Sequence, residues 1–185
     1  MFSCHQAVWL IKPGRVLYKK LQDFTVGHAF LLEAMDSPFM KGGKITIFDL
    51  AVAVLLCSMP FRKARAILQR PPYFLSRLAT RWGLYCRLRG FKIGDEIQKF
   101  MDYISAYTEM PEIWVDKKKK GKKSAVPFSL RLAWTLMSKM DEEEAWNCPL
   151  VRALGYYTAE AEFNGAEFVT EEQDKLIEAI EEDGS

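Results

Sequence analysis

The stretch from Thr46 to Cys57, TIFDLAVAVLLC, decides the fold of this 185-residue chain. Thr46 followed three residues later by Asp49 is a capping-box pattern that opens a helix. Beyond Asp49 the run is apolar nearly all round, which is typical of a helix buried on most sides. A buried strand is the rival interpretation, because Val52 and Val54 favour one, but the run is long for a strand and rich in Ala and Leu. We therefore predict a buried helix that ends at Cys57.

Helical patterns with clear start and stop signals continue on both sides of this run. Upstream, Thr25 caps a predicted helix over Val26–Met35. Downstream, the sequence predicts a basic helix capped by Ser58, a helix over Tyr73–Arg89, a helix with the inner stripe Ile97, Phe100, Met101 and Ile104, helices over Phe128–Met140 and Leu150–Phe163, and a final acidic helix capped by Thr170. Together these patterns predict an all-α, compact multi-helix fold of about seven or eight helices with at most minor β structure.

The formal net charge of +2 conceals a division of charge along the chain. Residues 1–92 carry 15 basic and 4 acidic side chains, a net charge of +11, whereas residues 93–185 carry 11 and 20, a net charge of −9. Residues 60–92 contain no Asp or Glu, and residues 139–185 have a net charge of −11. We predict a basic helical lobe over 1–110, a mobile lysine-rich connector over 111–127 and an acidic helical lobe over 128–185, with a single domain overall as the alternative.

Cysteine usage and the length of the apolar runs predict a cytoplasmic protein with no membrane association. The four cysteines are widely spaced and include no Cys-x-x-Cys pair, so we expect reduced thiols rather than a disulfide framework. The longest apolar run is shorter than the ~20 residues that a membrane-spanning helix needs. The first residues lack the basic and then apolar pattern of a secretory signal.

No residue pattern in the chain predicts catalysis. The two histidines, His5 and His28, have no second ligand at a zinc-site spacing, and His28 is expected to make a local hydrogen bond on a partly buried helix. Gly42-Gly43-Lys44 lacks the first glycine of a phosphate loop and is expected to be a turn. No Gly-x-Ser-x-Gly motif occurs, and the consecutive acidic residues 142–144 spread around a helix instead of converging. We expect no enzymatic activity, no cofactor and no metal site.

The basic segment 60–92 is the strongest candidate for a binding surface. Its cations cluster on helix faces with aromatic residues between them, and such surfaces suit phosphate contacts and base stacking. Against a stacking role, Trp82 lies on an apolar stripe with Leu78, Ala79 and Cys86, which predicts that the stripe faces the core. Nucleic acid therefore remains an open, less favoured partner.

The acidic half of the chain offers the opposite charge to this segment. Opposite patches can pair within one molecule, between copies of the chain, or with a protein partner, and acidic helices nearby would repel a phosphate backbone. We therefore favour docking to protein or self-association over polyanion binding. The candidate partner-binding residues are Arg62, Arg65, Arg77, Arg81, Glu171 and Glu172.

Two blocks of the sequence resemble a known family. The first block lies in residues 25–60 and the second in residues 155–172. Each block contains short motifs whose order along the chain carries the resemblance. These are Thr25-Val26-Gly27-His28, Leu31-Leu32-Glu33, Asp36-Ser37-Pro38, Gly42-Gly43, Asp49-Leu50, Cys57-Ser58-Met59-Pro60, then Gly155-Tyr156-Tyr157, Ala159-Glu160-Ala161, Gly165 and Val169-Thr170-Glu171-Glu172. The order is similar to that of tail assembly chaperones encoded by tailed bacteriophages and prophages.

This resemblance implies a non-enzymatic role in the cytoplasm of a bacterial host. Proteins of that family bind the long helical tape measure protein and keep it soluble until tail-tube subunits polymerise around it. The resemblance thus implies a tape measure or tail protein as the partner. Two alternatives stay open, namely a nucleic-acid-binding accessory protein that uses residues 60–92, and a structural component of the virion.

Overall fold

The structure is a computed structural model that describes residues 14–108 and 126–163. Within these residues the chain is all-α, as predicted, with nine helices and one two-stranded antiparallel hairpin. The elements are β1 Arg15–Val16, β2 Lys19–Lys20, α1 Val26–Ala34, α2 Pro38–Lys41, α3 Ile47–Cys57, α4 Phe61–Leu68, α5 Pro72–Leu88, α6 Ile93–Thr108, α7 Phe128–Met137, α8 Glu142–Asn147 and α9 Leu150–Phe163.

The apolar run after Thr46 forms helix α3. The Thr46 side chain accepts the Asp49 backbone N–H, and the Asp49 carboxylate accepts the Thr46 backbone N–H at 2.9 Å, so the predicted capping box is formed. Every residue from Leu50 to Cys57 is buried. The helical interpretation is confirmed over the strand, because burial on all sides satisfies an all-apolar helix.

Helix α1 begins at a second capping box that involves an unusual partner. The Thr25 side chain accepts a hydrogen bond from the His28 backbone N–H. His28 occupies the third position of the helix, where a Glu or Gln side chain normally accepts the backbone N–H of the capping residue. The neutral imidazole accepts the Thr25 N–H at Nδ1, 3.2 Å away, and donates from Nε2 to the Met59 carbonyl at 2.8 Å. Burial lowers the pKa of His28, which favours this neutral form. The expected local hydrogen bond of His28 is confirmed.

Residues on both sides of the undescribed segment 109–125 contribute to one hydrophobic core. The Val26 N–H donates to the Cys148 carbonyl at 3.0 Å, and the Leu150 N–H donates to the Phe24 carbonyl at 2.7 Å. Helix α1 also packs against α7, α8 and α9. Residues 128–163 therefore pack directly against α1. The division into two lobes joined by a connector over 111–127 stays a prediction.

Several boundaries and faces differ from those predicted. Ser58 does not cap the basic helix: it follows α3, its hydroxyl donates to the Leu55 carbonyl at 2.8 Å, and Pro60 precedes α4 instead. The helix that starts at Phe128 ends at Met137, three residues early. Met101 is 38% exposed rather than internal. The inner face of α6 instead comprises Glu96, Phe100, Tyr103, Ile104 and Tyr107.

Three sequence predictions lie outside the described residues. They concern residues 111–125 of the lysine-rich connector, the histidine His5, and the final acidic helix with Glu171 and Glu172. Of the cysteines, Cys57, Cys86 and Cys148 are described, and each is buried and free. Within residues 14–108 and 126–163, no helix has the length and apolar character needed to cross a membrane.

Candidate partner-binding surface

Helix α5 buries one side and exposes the other. Leu75, Ala79 and Cys86 face the core, where α5 packs against α3. The contact with α3 is close at Gly83, where an added Cβ would lie 3.3 Å from the Ile47 side chain. The opposite side carries a stripe of exposed residues at helical spacing, which we call the α5 face. It consists of Tyr73, Arg77, Arg81, Leu84 and Leu88.

The α5 face combines exposed cations with exposed apolar side chains. Tyr73 is 63% exposed and Leu88 is 78% exposed. Neither Arg77 nor Arg81 forms an ion pair with any residue that the structure describes, since the ion pairs there are Lys41–Asp36, Lys99–Glu96 and Lys139–Glu160. A helix with exposed leucines and exposed guanidinium groups is suited to a partner that supplies both apolar surface and carboxylates.

The other predicted cations lie on the neighbouring helix. Arg62 and Arg65 are exposed on α4, because Phe61 and Ala64 turn the opposite side of this helix into the core. Helices α4 and α5 pack against each other. The structure therefore places all four predicted arginines on the surface of two adjoining helices, while predicted Glu171 and Glu172 lie outside the described residues.

An open cavity of about 460 Å³ lies at the C-terminal part of α5. Two cations in it stand over aromatic rings: Lys19 Nζ lies 5.8 Å from the Trp82 ring centroid, and the Arg89 guanidinium lies 5.4 Å from the Tyr85 centroid. Arg89 Nε also donates to the Tyr85 hydroxyl at 3.2 Å. The cavity, here called the hairpin cavity, is lined by Leu17, Tyr18, Lys19, Trp82, Tyr85 and Arg89.

The predicted core stripe of α5 is therefore only partly correct. Ala79 and Cys86 are fully buried, but Leu78 is exposed. Trp82 is half-buried: it packs against the core and also lines the hairpin cavity. One part of the Trp82 ring therefore packs against the core, and another part forms a solvent-accessible wall of the cavity. The sequence periodicity predicted only the packing against the core.

One wall of the cavity is a strained hairpin that the sequence does not predict. Leu17 and Tyr18 form the two-residue turn with φ of 47° and 66°, a left-handed conformation that usually requires Asn or Gly. The Leu17 N–H donates to Oε2 of the buried Glu96 at 2.7 Å, and Lys99 Nζ donates to Oε1 at 2.6 Å. A carboxylate from α6 thus holds the turn in place. Neither Leu nor Tyr signals such a turn in the sequence.

Within 14–108 and 126–163, no three His, Cys, Asp or Glu side chains are grouped to hold a metal ion. Burial raises the pKa of the Cys57 thiol, so its thiolate is disfavoured. Gly42 and Gly43, with φ of 78° and 120°, form the turn that the sequence predicts. The arrangement is suited to binding through charge, aromatic rings and apolar contact.

Comparison with known proteins returned no similarity: no family model matches the chain, and no curated protein or solved structure matches it.

Proposed function

We propose that the protein is a non-enzymatic assembly factor that binds a helical protein partner on the α5 face. The observation that carries the proposal is the coincidence, on one exposed stripe, of Leu84 and Leu88 with Arg77 and Arg81, which form no ion pair with the described residues. The resemblance of residues 25–60 and 155–172 to phage tail assembly chaperones supports the tape measure protein as that partner. An amphipathic helix with acidic flanks has the complementary chemistry.

The apolar part of the stripe supplies affinity and the cations supply orientation. Burying the exposed surface of Leu84 and Leu88 contributes about 1–2 kcal/mol for each side chain, given that full burial of a leucine contributes about 1.5–3 kcal/mol. Charge pairs at the edge of such an interface act mainly on the association rate and on the choice of partner. The proposal therefore predicts that apolar and charged substitutions have different effects.

The test is co-expression with a tape measure protein, the partner that the resemblance implies. Leu84→Ser combined with Leu88→Ser is expected to weaken co-purification about 30-fold, which corresponds to about 2 kcal/mol. Trp134→Ser is the matched control, because Trp134 is 55% exposed on α7, a helix that packs against α1, α8 and α9. Equal solubility of the partner with and without this protein, and no complex, would contradict the proposal.

The charged part of the stripe is tested by salt. Arg77→Glu combined with Arg81→Glu is expected to slow association with the partner and to reduce its dependence on ionic strength. Lys20→Glu combined with Lys44→Glu is the control, since both lysines are exposed outside the α5 face and the pair changes the net charge by the same amount. If both variants change the association rate alike, the effect is one of net charge and not of the α5 face.

The hairpin cavity favours a second candidate function, the binding of single-stranded nucleic acid. Three aromatic rings and two cations line a space in the size range of small-ligand sites, and bases stack on such rings. Titration with single-stranded and duplex DNA at two salt concentrations tests it. Binding that weakens steeply with salt and is lost in Tyr85→Ala and Arg89→Ala would favour nucleic acid over the protein partner.

A further inference from the structure

The side chains that line the hairpin cavity mainly supply hydrogen-bond donors. Lys19, Trp82 and Arg89 carry donors only. The Tyr85 hydroxyl already accepts from Arg89 Nε at 3.2 Å, so its own hydrogen can donate to a ligand. Among the described residues, no Asp or Glu lines the cavity. A ligand that bonds to these side chains must therefore be rich in acceptors.

Two groups beside the cavity that would repel an anion are already bonded within the chain. Glu96 accepts the N–H of Leu17 at Oε2 and Lys99 Nζ at Oε1. The Tyr85 carbonyl, near the end of α5, accepts the Arg89 N–H at 3.1 Å. Because both sources of negative charge are engaged, the cations that line the cavity determine its charge.

The two cations of the cavity form no ion pair with any residue in 14–108 or 126–163. Arg89 uses Nε for the Tyr85 hydroxyl, which leaves its two Nη nitrogens for an anion, and guanidinium groups bind phosphates with two parallel hydrogen bonds. Lys19 adds a second positive charge from the hairpin wall. The cavity therefore matches an anion that carries about two negative charges.

Three aromatic rings give the cavity a surface for a planar group. Tyr18 is 62% exposed, and its ring packs edge-on against Phe91 with the centroids 4.4 Å apart. Trp82 and Tyr85 supply the other two rings. Nucleic-acid bases stack on such rings whatever their identity. The volume of about 460 Å³ lies in the lower half of the range of small-ligand sites, about 300–1,000 Å³, which suits a single nucleotide.

The charge of the cavity distinguishes between two kinds of phosphate. A phosphomonoester carries a charge of about −1.5 to −2 at pH 7, whereas each internal phosphate of a strand carries about −1. We infer that the hairpin cavity binds a nucleoside monophosphate unit, with its base on the aromatic rings and its phosphate on Lys19 and Arg89. The inference is independent of the α5 face. It shares the cavity with the second candidate function and differs from it in requiring a terminal phosphate.

Equilibrium dialysis of the full chain against adenosine 5′-monophosphate (AMP) tests the inference. We expect saturable binding of one AMP per chain. Adenosine lacks the phosphate and ribose 5-phosphate lacks the base, so each is expected to bind at least about tenfold more weakly. The inference is overturned if AMP shows no saturable binding at millimolar concentration. It is also overturned if phenyl phosphate binds as tightly as AMP, because the base is then not recognised.

Two matched pairs of variants locate the binding. Lys19→Met and Arg89→Gln are each expected to weaken AMP binding about tenfold, because each removes one of the two cations that bind the phosphate. Lys20→Met and Arg87→Gln remove the same charges from exposed neighbours outside the cavity lining, and are expected to change AMP binding less than about twofold. Equal losses in both members of each pair would show general attraction of anions and refute a site in the cavity.

Oligonucleotides separate the two sources of such a unit, a free nucleotide and the end of a strand. A short oligodeoxythymidylate competes with AMP in two forms, with and without a 5′-phosphate. Stronger competition by the phosphorylated form supports a unit at a strand end, and AMP binding with no competition by either form supports a free nucleotide and refutes the second candidate function. Equal competition by both forms would refute the inference and leave that function standing.

Discussion

Replacement of Glu96 is expected to release the hairpin that forms one wall of the hairpin cavity. Glu96 is 4% exposed, and its Oε2 accepts the N–H of Leu17, which sits in a left-handed conformation. A hydrogen bond to a charged group contributes about 1.5–3 kcal/mol. Glu96→Ala removes this bond and leaves a buried N–H without an acceptor, so we expect the free energy of unfolding to fall by about 2–4 kcal/mol.

Glu96→Gln is the informative control for this substitution. The amide oxygen can still accept the Leu17 N–H, while the charge that attracts Lys99 is lost. We expect Glu96→Gln to lose about 1 kcal/mol, because a neutral acceptor is weaker than a carboxylate. Lys99→Met is expected to lower the free energy of unfolding by about 1–3 kcal/mol, because it leaves the buried Glu96 carboxylate with the Leu17 N–H but without its cation.

Two measurements check the prediction. Urea unfolding gives the change in the free energy of unfolding for each variant. Amide hydrogen exchange gives the protection of the Leu17 N–H, which is expected to disappear in Glu96→Ala and to persist in Glu96→Gln. Ordinary surface substitutions change the free energy of unfolding by less than about 0.5 kcal/mol. If Glu96→Ala changes it by no more than that, and the Leu17 N–H stays protected, then the carboxylate does not hold the turn.

Three further substitutions or conditions test the core. Gly27→Ala is expected to destabilise by about 1–3 kcal/mol despite its higher helix propensity, because the new Cβ would lie 2.4 Å from the Phe61 ring; urea unfolding measures it, and a gain in stability would contradict the packing. Because burial lowers the pKa of His28, its contribution to stability is complete above pH 6.5 and declines as the pH falls below that value. The free energy of unfolding is therefore expected to be lower at pH 5 than at pH 7.5. This difference is expected to be smaller in His28→Gln, which urea unfolding at the two pH values measures. Cys57 is expected to resist alkylation at pH 8 until the chain unfolds, and rapid labelling of the native protein would refute its burial.

The sequence predicts most helices correctly because their start signals are local. The boxes at Thr25 and Thr46 join groups three residues apart, and Asp141 likewise accepts the Glu144 N–H at 2.9 Å. The four predicted arginines are exposed because each lies opposite an apolar stripe at helical spacing. Errors occur where spacing is ambiguous: Met101 sits at the edge of the α6 stripe and points to solvent, while Tyr103 and Tyr107 face the core.

By itself, then, the sequence determined the all-α class, the central buried helix and the acid-free segment 60–92, since each depends on contacts or composition within a few turns. Only the tertiary structure decided which residues from other parts of the chain lie beside that segment. Glu96 holds the turn at Leu17 across 79 residues of sequence, and this contact brings Tyr18 and Lys19 beside Trp82. No periodicity encodes such a contact, because a left-handed turn at a buried leucine is stable only when a distant helix supplies the carboxylate that satisfies it.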